Sequence, residues 1–272
     1  MQSKRSTYFY PLATPTLNYQ KAKIVLTQQE KNLYSRQIML SAIGENGQVA
    51  LGNAKVLILG LGGLGNPASL YLAAAGVGSL FIADGDTIER SNLSRQILFT
   101  EDNINENKAD AAAERLQHQF PDVQIEAIDE RLNKDLCDYY VPKVDVVLDC
   151  SDNITTRYLI NQACVQHKIP LIVGAATGFD GQQLTIDPRD EKSACYQCLF
   201  PATEIAPANN CQTLGIIGPV LAMIAGTQCL EAIKLLTGNK VSINQLSLLD
   251  GLSNQWQQFT LKKNKDCPVC GV

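Results

Sequence analysis

The chain has 272 residues, of which 45% are hydrophobic and 18% charged, so it is long enough to bury one substantial core. Its formal net charge of −4 gives no basic footprint and argues against a nucleic-acid-binding protein. The longest apolar run, which starts at Gly215, contains Pro219 and three glycines, so it predicts a buried helix and not a membrane span. This composition is typical of a soluble cytoplasmic protein, and neither nucleic acid nor a membrane is expected as a partner.

The first residues predict no folded element. The stretch TYFYPLATPTLNY is interrupted by prolines and polar residues, so it lacks the apolar region of a signal peptide. Arg5 is the single arginine of residues 1–29, which fits a transit peptide poorly. We interpret residues 1–26 as an irregular extension and residues 27–272 as one domain. We divide this domain into a first half (27–180) and a second half (181–272).

The first predicted element begins at Thr27, where TQQE matches a capping box. We expect one helix from there through Arg36 and Gln37. Short, fully apolar runs then alternate with helical patterns, which is typical of a parallel sheet covered by helices on both faces. The predicted strands are VLILG, LFIAD, VQIEAI, VDVVLDC and IPLIVGAA, and the predicted helices run through Ala75, over about 107–119 and over about 154–166.

The pattern changes after Asp180. Residues 187–213 are rich in Pro, Asn, Ala and Cys and predict a long loop, which a helix through Leu236 follows. SLLDG and QWQQFTL then predict antiparallel strands. The expected fold class is therefore α/β, with a Rossmann-like nucleotide-binding parallel sheet continued by antiparallel strands.

A glycine-rich loop follows the first predicted strand. Residues 60–65, GLGGLG, fit G-x-G-x-x-G between a strand and a helix, where backbone amides and the helix N-terminus can bind a phosphate. Asp84 ends the next strand, where a carboxylate can accept hydrogen bonds from a ribose. In isolation this pair favours a dinucleotide oxidoreductase, and the loop alone does not distinguish a dinucleotide from a triphosphate. The structural alternative is that the glycines serve only close helix–strand packing.

Polar and charged side chains follow the next strands. Asn92 and Arg95 lie in SNLSRQ, and Lys108 begins the next predicted helix. Two extra cations suit a triphosphate better than a diphosphate, although each alone could equally form a surface salt bridge. Asp152, in LDCSDN, follows the fourth predicted strand at the sheet edge where ligands bind. It could hold Mg²⁺ on the phosphates, cap the helix that begins near Ile154, or do both.

Four of the nine cysteines form two C-x-x-C pairs, Cys195 with Cys198 and Cys267 with Cys270. An odd number of cysteines without a secretory signal favours reduced thiols and metal ligands over disulfides. One C-x-x-C can be a redox pair, but two together favour a tetrahedral structural zinc. Its expected role is to attach the C-terminal tail to the long loop, without a part in catalysis.

Cys211 is unpaired by spacing and lies in NNCQTLGIIGP, just before an apolar helix. A thiol near a helix N-terminus tends toward a lowered pKa, but the residues alone favour a small buried hydrophobe at this position. No Cys–His or Ser–His catalytic pair is evident in the sequence. The remaining cysteines fall in apolar segments and are predicted to lie in the core: Cys137, Cys150, Cys164 and Cys229.

Taken in order, several motifs make the chain similar to the family of ubiquitin-activating-like adenylyltransferases, which includes the bacterial proteins ThiF, MoeB and HesA. These motifs are YSRQI, AKVLILGLGGLG, ADGD, SNLSRQILF, NK and LDCSDN…R. The resemblance covers about Tyr34 to Gly271, and it implies that the glycine loop holds ATP. CYQCLFP, NNCQTLGIIGPV, LLDGLSNQW and CPVCG resemble the thiamine-pathway branch, ThiF, more than the molybdopterin branch, MoeB, although Gln212 stands where ThiF members commonly have Arg.

The resemblance also implies residue roles. It implies Asp84 on the ribose, and it matches Arg36 to an arginine that the family sends into the partner subunit's site, so that a homodimer is implied. Cys211 matches a reactive cysteine that bonds to the carrier in some members and is dispensable in others. The implied catalytic set is Arg36, Arg95, Lys108, Asp152 and Cys211. The implied nucleotide-binding set is Gly62, Gly63, Gly65, Asp84, Asp86, Asn92, Arg95, Lys108, Asp152 and Asn153.

The implied reaction is ATP-dependent adenylation of the C-terminal glycine carboxylate of a ubiquitin-like sulfur carrier protein ending in Gly-Gly, with release of pyrophosphate. A sulfur donor enzyme would then act on the activated carboxylate, and the implied cofactors are ATP, Mg²⁺ and Zn²⁺. A peptide carboxylate, with a pKa of about 3.5, is ionised at neutral pH and needs no general base. The alternatives are adenylation of the molybdopterin carrier, an NAD-dependent oxidoreductase and a non-catalytic scaffold.

Overall fold

The computed structural model of the chain describes residues 24–202 and 215–271. Its strands are β1 (Lys55–Leu59), β2 (Ser79–Ala83), β3 (Gln124–Ile128), β4 (Val146–Asp149), β5 (Leu171–Thr177), β6 (Asp180–Ile186), β7 (Gln245–Asp250) and β8 (Gln255–Thr260). They form one eight-stranded sheet in the order β3-β2-β1-β4-β5-β6-β7-β8. Neighbours from β3 to β5 are parallel, and those from β5 to β8 are antiparallel. The α/β class predicted from the sequence is confirmed.

Helices cover both faces of the parallel part of this sheet. In the described residues the α-helices are α1 (Gln28–Leu33), α2 (Ser35–Ile38), α3 (Gly44–Asn53), α4 (Gly65–Ala74), α5 (Lys108–Gln119), α6 (Lys134–Tyr140), α7 (Ile154–His167), α8 (Tyr196–Leu199) and α9 (Gly218–Leu236). Alternate residues of β1 serve the two faces, since successive side chains of a strand point in opposite directions. Val56 packs in the core cluster of α4, α5 and α9, and Leu57 packs in that of α6 and α7.

The strand order places the candidate site. β1 lies between β2 and β4, so the chain leaves β1 toward one side of the sheet and later returns on its other side. In parallel sheets, ligands bind outside the carboxyl ends of the strands at this point. The segments that follow β1, β2 and β4 are those that carry the glycine loop, Asp84 and Asp152. The topology therefore gathers these three segments at one edge.

The N-terminal helix begins as predicted but is shorter. Thr27 Oγ1 accepts a hydrogen bond from the Glu30 amide, and the Glu30 carboxylate accepts one from the Thr27 amide, so the capping box is confirmed. The backbone leaves helical geometry at Tyr34, where φ is −95° and ψ is 14°. Arg36 lies on the separate helix α2. The prediction of one helix through Gln37 is therefore wrong.

Helix α9 is longer than the apolar run that the sequence indicated. Its 19 residues, with a mean hydropathy of 1.4, are long and apolar enough to cross a membrane by length and composition. It packs against α4, β5 and β6, and its Ile224 and Ala225 are fully buried in the core. The buried side chain of Gln228 donates hydrogen bonds to backbone carbonyls of β4 and β5. The helix is therefore part of the core of the sheet, as predicted.

Candidate active site and metal centre

The loop between β1 and α4 is shaped by close contacts at three glycines. Gly60 has a φ of +88°, and a Cβ there would lie 3.0 Å from the Cys150 carbonyl oxygen. A Cβ on Gly65 would lie 1.8 Å from the Gly60 carbonyl oxygen, and one on Gly63 would lie 2.4 Å from Leu221 Cδ1. A side chain at Gly60 or Gly65 would therefore collide with backbone atoms, whereas one at Gly63 would have to displace the Leu221 side chain. Close packing is thus a reason for glycine at all three positions.

Gly62 is different from the other glycines of the loop. A Cβ there would have one neighbour within 4 Å among the described residues, Gln96 Nε2 at 3.9 Å. Its φ is not in the left-handed region. Among the described residues, neither packing nor the backbone conformation therefore requires glycine at this position. A glycine here leaves room for a ligand to approach the loop closely.

Two carboxylates and two cations lie beyond β2. Asp84 Oδ2 accepts a hydrogen bond from the Leu61 amide at 2.7 Å, and its Oδ1 accepts one from the Asp86 amide at 2.9 Å. Burial raises the pKa of Asp84, and the charge of Lys108 opposes that shift. Asp86 lies between two cations, with Lys108 Nζ at 3.4 Å and Arg131 Nη2 at 2.7 Å. The hydrogen bond from Arg131 lowers the pKa of Asp86.

Lys108 begins α5 as predicted, but its environment is not that of a surface lysine. The residue is 7% exposed, and its partner is Asp86. Buried charged side chains in proteins are generally paired, because a partner of opposite charge offsets the loss of hydration. Lys108 therefore lies as a paired, largely buried cation beside Asp86.

Asn92 and Arg95 lie in the segment that follows β2. Asn92 is buried, and its Oδ1 accepts a hydrogen bond from the Glu89 amide at 3.3 Å. Arg95 Nη1 donates to the Ser91 carbonyl oxygen at 3.1 Å, and within residues 24–202 and 215–271 the side chain makes no ion pair. The Arg95 Cα lies 3.8 Å from where a Cβ on Gly218 would be, so it adjoins the first turn of α9. The salt-bridge alternative thus applies to Lys108 and does not apply to Arg95.

In the segment after β4, one residue caps α7 and another presents an exposed carboxylate. Asn153 caps α7, since its Oδ1 accepts a hydrogen bond from the Thr156 amide at 2.9 Å. The alternative that Asp152 caps this helix is therefore wrong. Asp152 is exposed, and in the described part of the chain its carboxylate has no hydrogen bond or ion pair. An exposed carboxylate at the end of a parallel strand suits Mg²⁺, which keeps several of its waters when a protein binds it.

Three charged residues of this region were not assigned from the sequence. Arg131 lies in a stretch after β3 that carries no motif, so no sequence signal pointed to it. Arg157 ends the motif LDCSDN…R, and Asp149 lies within it, but a motif does not reveal that the two side chains are buried together. Their atoms Asp149 Oδ2 and Arg157 Nη1 are 3.9 Å apart.

Arg36 is not in contact with the residues above. It lies exposed on α2, and its side chain makes no hydrogen bond or ion pair with the described residues. Leu33 at the end of α1, and Met39 and Leu40 directly after α2, are also exposed. Exposed apolar residues that cluster together often mark a protein–protein interface. Cys211, which the sequence placed among the candidates, lies outside the described residues.

The two C-x-x-C pairs meet at one point. The four Sγ atoms of Cys195, Cys198, Cys267 and Cys270 all lie within 4.8 Å of one another. Three of their separations are 4.0 Å (195 to 198), 3.6 Å (195 to 267) and 3.4 Å (198 to 270). A tetrahedral zinc with Zn–S bonds of about 2.3 Å sets its sulfurs about 3.8 Å apart. The four thiols therefore fit a structural zinc that joins α8 to the C-terminal tail.

The pKa values of these thiols differ from one another. Burial opposes ionisation of Cys267, but hydrogen bonds from the amides of Cys270 and Val269 lower its pKa to about 7. Burial raises the pKa of Cys270 to about 11 and also raises that of Cys195. Thiols with opposite shifts at such short separations do not all ionise unless a cation stabilises the thiolates.

We expect the substitution Cys267→Ser to remove the metal and to lower the melting temperature on the order of 10 °C, because the bound zinc contributes folding free energy. The control is Cys164→Ala, which removes a buried thiol that belongs to no cysteine cluster. Metal analysis of the purified proteins checks the result. One zinc per chain in Cys164→Ala and none in Cys267→Ser is expected, whereas equal zinc in both variants would contradict the assignment.

Comparison with known proteins shows the family to which the chain belongs. The ThiF family model matches residues 34–269. The sulfur carrier protein ThiS adenylyltransferase of Escherichia coli is 48% identical over 238 residues, which are 88% of this chain and 94% of that protein. The SAMP-activating enzyme E1 of Haloferax volcanii is 40% identical over 88% of both chains.

Two further similarities extend the comparison. The adenylyltransferase and sulfurtransferase MOCS3 of Culex quinquefasciatus is 40% identical over 95% of this chain, which spans 60% of that protein. The crystal structure of E. coli MccB with ATP has a TM-score of 0.75 at 25% identity, over 90% of this chain and 75% of that one. The family match covers most of the chain, and the relatives are named as adenylyltransferases or as an activating enzyme. The chain therefore belongs to the ThiF family.

Proposed function

We propose that this protein is an adenylyltransferase that uses ATP to activate the C-terminal glycine carboxylate of a ubiquitin-like sulfur carrier protein, with release of pyrophosphate. The proposal rests on the arrangement of residues at the edge of the sheet where β1, β2 and β4 end. There the open position at Gly62 follows β1, and Arg95 and Asp152, which make no ion pair with the described residues, follow β2 and β4. The names of the relatives support the same activity.

The chemistry requires charge neutralisation and positioning. The attacking carboxylate is already ionised at neutral pH, so no general base is needed, but an anion must approach the α-phosphate of a polyanion. Arg95, the cation of Lys108 and the amides of the glycine loop lower this repulsion. Asp152 would hold Mg²⁺, which neutralises phosphate charge when it is bound. Asp84 and Asp86 would face the ribose side, with Asn92 and Asn153 beside the phosphates.

The carrier is proposed to dock on an apolar patch at the same edge of the sheet. Exposed Phe179, Leu252 and Trp256 lie on adjacent backbone segments, because the Gly251 amide donates to the Phe179 carbonyl oxygen and Trp256 pairs with Leu249 between β7 and β8. The Gly178 amide donates to the Gly215 carbonyl oxygen, so the patch continues toward the start of α9, beside Arg95. A carrier on this patch could extend its C-terminal tail toward the phosphate site.

Several finer assignments belong to the same proposal. The carrier is that of the thiamine pathway, since the ThiS adenylyltransferase match is 48% identical and the MOCS3 match 40%. Residues 27–272 form one domain, because a single sheet runs through both halves. The protein is a cytoplasmic homodimer with zinc and Mg²⁺, and the free thiols of its described cysteines suit a reducing compartment. Cys211 acts after adenylation, together with a sulfur donor enzyme.

Two measurements test the proposed function, namely nucleotide binding and identification of the product. A thermal shift with ATP and Mg²⁺, and none with NAD, is expected and would dismiss the oxidoreductase alternative. Mass spectrometry of a thiamine-pathway carrier after incubation with enzyme and ATP–Mg²⁺ should then detect an adenylate at its C-terminal glycine. An unmodified thiamine-pathway carrier beside an adenylated molybdopterin-pathway carrier would transfer the assignment to the other branch. Unmodified carriers of both kinds would contradict the activity.

We expect Gly62→Ala to weaken ATP binding about tenfold or more without lowering the melting temperature. The added methyl group has room in the free protein but would keep the amide of the loop from a phosphate, and such a charged hydrogen bond contributes about 1.5–3 kcal/mol. Gly226→Ala is the matched control, since a Cβ there meets no described atom within 4 Å. Calorimetric titration with ATP–Mg²⁺ checks both variants. Equal affinity in Gly62→Ala and wild type would count against phosphate binding at this loop.

A further inference from the structure

A buried polar network adjoins the segment that carries Asp152. Asp149, the last residue of β4, is fully buried, and its Oδ1 accepts hydrogen bonds from the Ser151 amide at 2.9 Å and the Ser151 hydroxyl at 2.6 Å. Arg157 projects from α7 and is 6% exposed. Its Nη1 faces Asp149 Oδ2 at 3.9 Å, and neither atom has a hydrogen-bond partner among the described residues. The pair thus lies buried in the protein, with Asp149 three residues before Asp152 and Arg157 five residues after it.

Arg157 also joins two strands. Its Nη2 donates to the Ser151 carbonyl oxygen at 2.5 Å and to the Gly174 carbonyl oxygen of β5 at 2.9 Å. The planar guanidinium makes these bonds while it faces Asp149, a geometry that the single ammonium of a lysine does not reproduce. The Ser151 carbonyl belongs to the peptide unit that leads into Asp152. Arg157 therefore fixes the backbone immediately before that carboxylate.

The same segment is held from the other face of the sheet. Gln228 of α9 donates through Nε2 to the Asp149 carbonyl oxygen at 3.1 Å and to the Ile172 carbonyl oxygen at 3.0 Å. Cys150 Sγ donates to Gln228 Oε1 at 3.6 Å, and the Cys150 carbonyl oxygen is in close contact with Gly60. The glycine loop and the Asp152 segment thus share one rigid support.

Stability alone does not account for an ion pair in this place. Two charges removed from water cost free energy that their attraction often fails to recover, and apolar residues of similar volume frequently do as well or better. Arg157 is distinctive because its hydrogen bonds hold the Ser151 carbonyl next to β5. We propose that Arg157 is a positioning residue that sets the place of the Asp152 carboxylate, and hence the affinity of the nucleotide site for Mg²⁺; this rests on the proposed function of that site.

The test compares two variants on one helix. Arg157→Lys keeps the charge beside Asp149 but loses the pair of hydrogen bonds to the Ser151 and Gly174 carbonyl oxygens. Ile160→Ala leaves those hydrogen bonds in place and removes a fully buried side chain from α7. Two readouts are taken besides the melting temperature. They are the Mg²⁺ concentration that gives half-maximal ATP binding, which needs no carrier, and kcat for carrier-dependent ATP–pyrophosphate exchange.

Arg157→Lys is expected to raise the half-saturating Mg²⁺ concentration about tenfold and to lower kcat by about 10–100-fold, as for residues that orient a metal ligand. Ile160→Ala is expected to lower the melting temperature at least as much with both readouts near wild type. Unchanged Mg²⁺ dependence in Arg157→Lys, or an equal change in Ile160→Ala, would overturn the proposal.

A double-variant cycle shows whether Arg157 acts through Asp152. Substitutions at two residues that act as one unit have non-additive effects. Arg157→Lys should therefore change the Mg²⁺ dependence of ATP binding little in an Asp152→Ala background. The same shift in both backgrounds would contradict the mechanism. Failure of the proposed function would be seen separately, as absence of exchange in the wild-type protein. The ATP-binding readout would still decide the role of Arg157 in that case.

Discussion

The substitution Arg95→Ala is expected to lower kcat for adenylation about 10³-fold or more, with little change in the melting temperature. An arginine that neutralises transition-state charge in phosphoryl transfer contributes on the order of 10³–10⁵ in rate. Within residues 24–202 and 215–271 the side chain makes one hydrogen bond, to the Ser91 carbonyl oxygen, so its loss leaves no buried charge of that part of the chain unpaired. The guanidinium is therefore available to a ligand at no structural cost.

Arg90→Ala is the matched control for this prediction. Arg90 lies in the same segment, and its side chain is 80% exposed in an ion pair with Glu101. Such surface pairs contribute little to stability, about 0–1 kcal/mol. Steady-state exchange kinetics with the carrier compare the two variants. Similar rates for Arg95→Ala and Arg90→Ala would exclude Arg95 from the phosphate site.

Mixing Arg36→Ala with Asp152→Ala is expected to restore activity that neither variant has alone. If each site takes Arg36 from the partner protomer, a mixed dimer contains one site with both residues intact and one with neither. Half of the dimers are mixed after free exchange, so about a quarter of wild-type activity should return. The exposed position of Arg36 among Leu33, Met39 and Leu40 is the structural reason to expect this arrangement.

The complementation is measured after subunit exchange, with exchange itself followed by native mass spectrometry of differently tagged chains. Arg36→Ala mixed with Arg95→Ala should behave in the same way, since Arg95 belongs to the site of its own protomer. Mixed dimers that form but remain inactive would show that Arg36 does not act across the interface. A monomeric wild-type protein would contradict the proposal directly.

The sequence predicted what local chemistry determines. The capping box at Thr27, the apolar strands and the helices that begin at Gly65, Lys108 and Ile154 all depend on neighbours in the chain, and the structure confirms them. The four thiols were also predictable, because two C-x-x-C pairs leave few other uses for paired sulfurs in a reduced protein. The end of α1 was not, since nothing local forbids a helix from continuing through Tyr34.

Long-range contacts account for what was missed. The ion pair of Asp86 joins it to Arg131, 45 positions along the chain, and only the sheet order brings them together. Asp149 and Arg157 lie in a motif, but their burial depends on Gly174 and Gln228, which come from distant elements. The three packing glycines and Gly62 also look alike in GLGGLG. Their difference depends on where Cys150, Leu221 and Gln96 lie.

ATP–pyrophosphate exchange with two purified carriers that end in Gly-Gly tests the central claim most directly. One carrier is of the thiamine pathway and the other of the molybdopterin pathway, and Mg²⁺ is present in both reactions. Exchange that depends on the thiamine-pathway carrier and is absent from Asp152→Ala is the predicted result. Exchange with the second carrier alone would keep the chemistry and contradict the choice of carrier. No exchange with either carrier, from a protein that binds ATP and zinc, would contradict the proposed activation of these sulfur carriers.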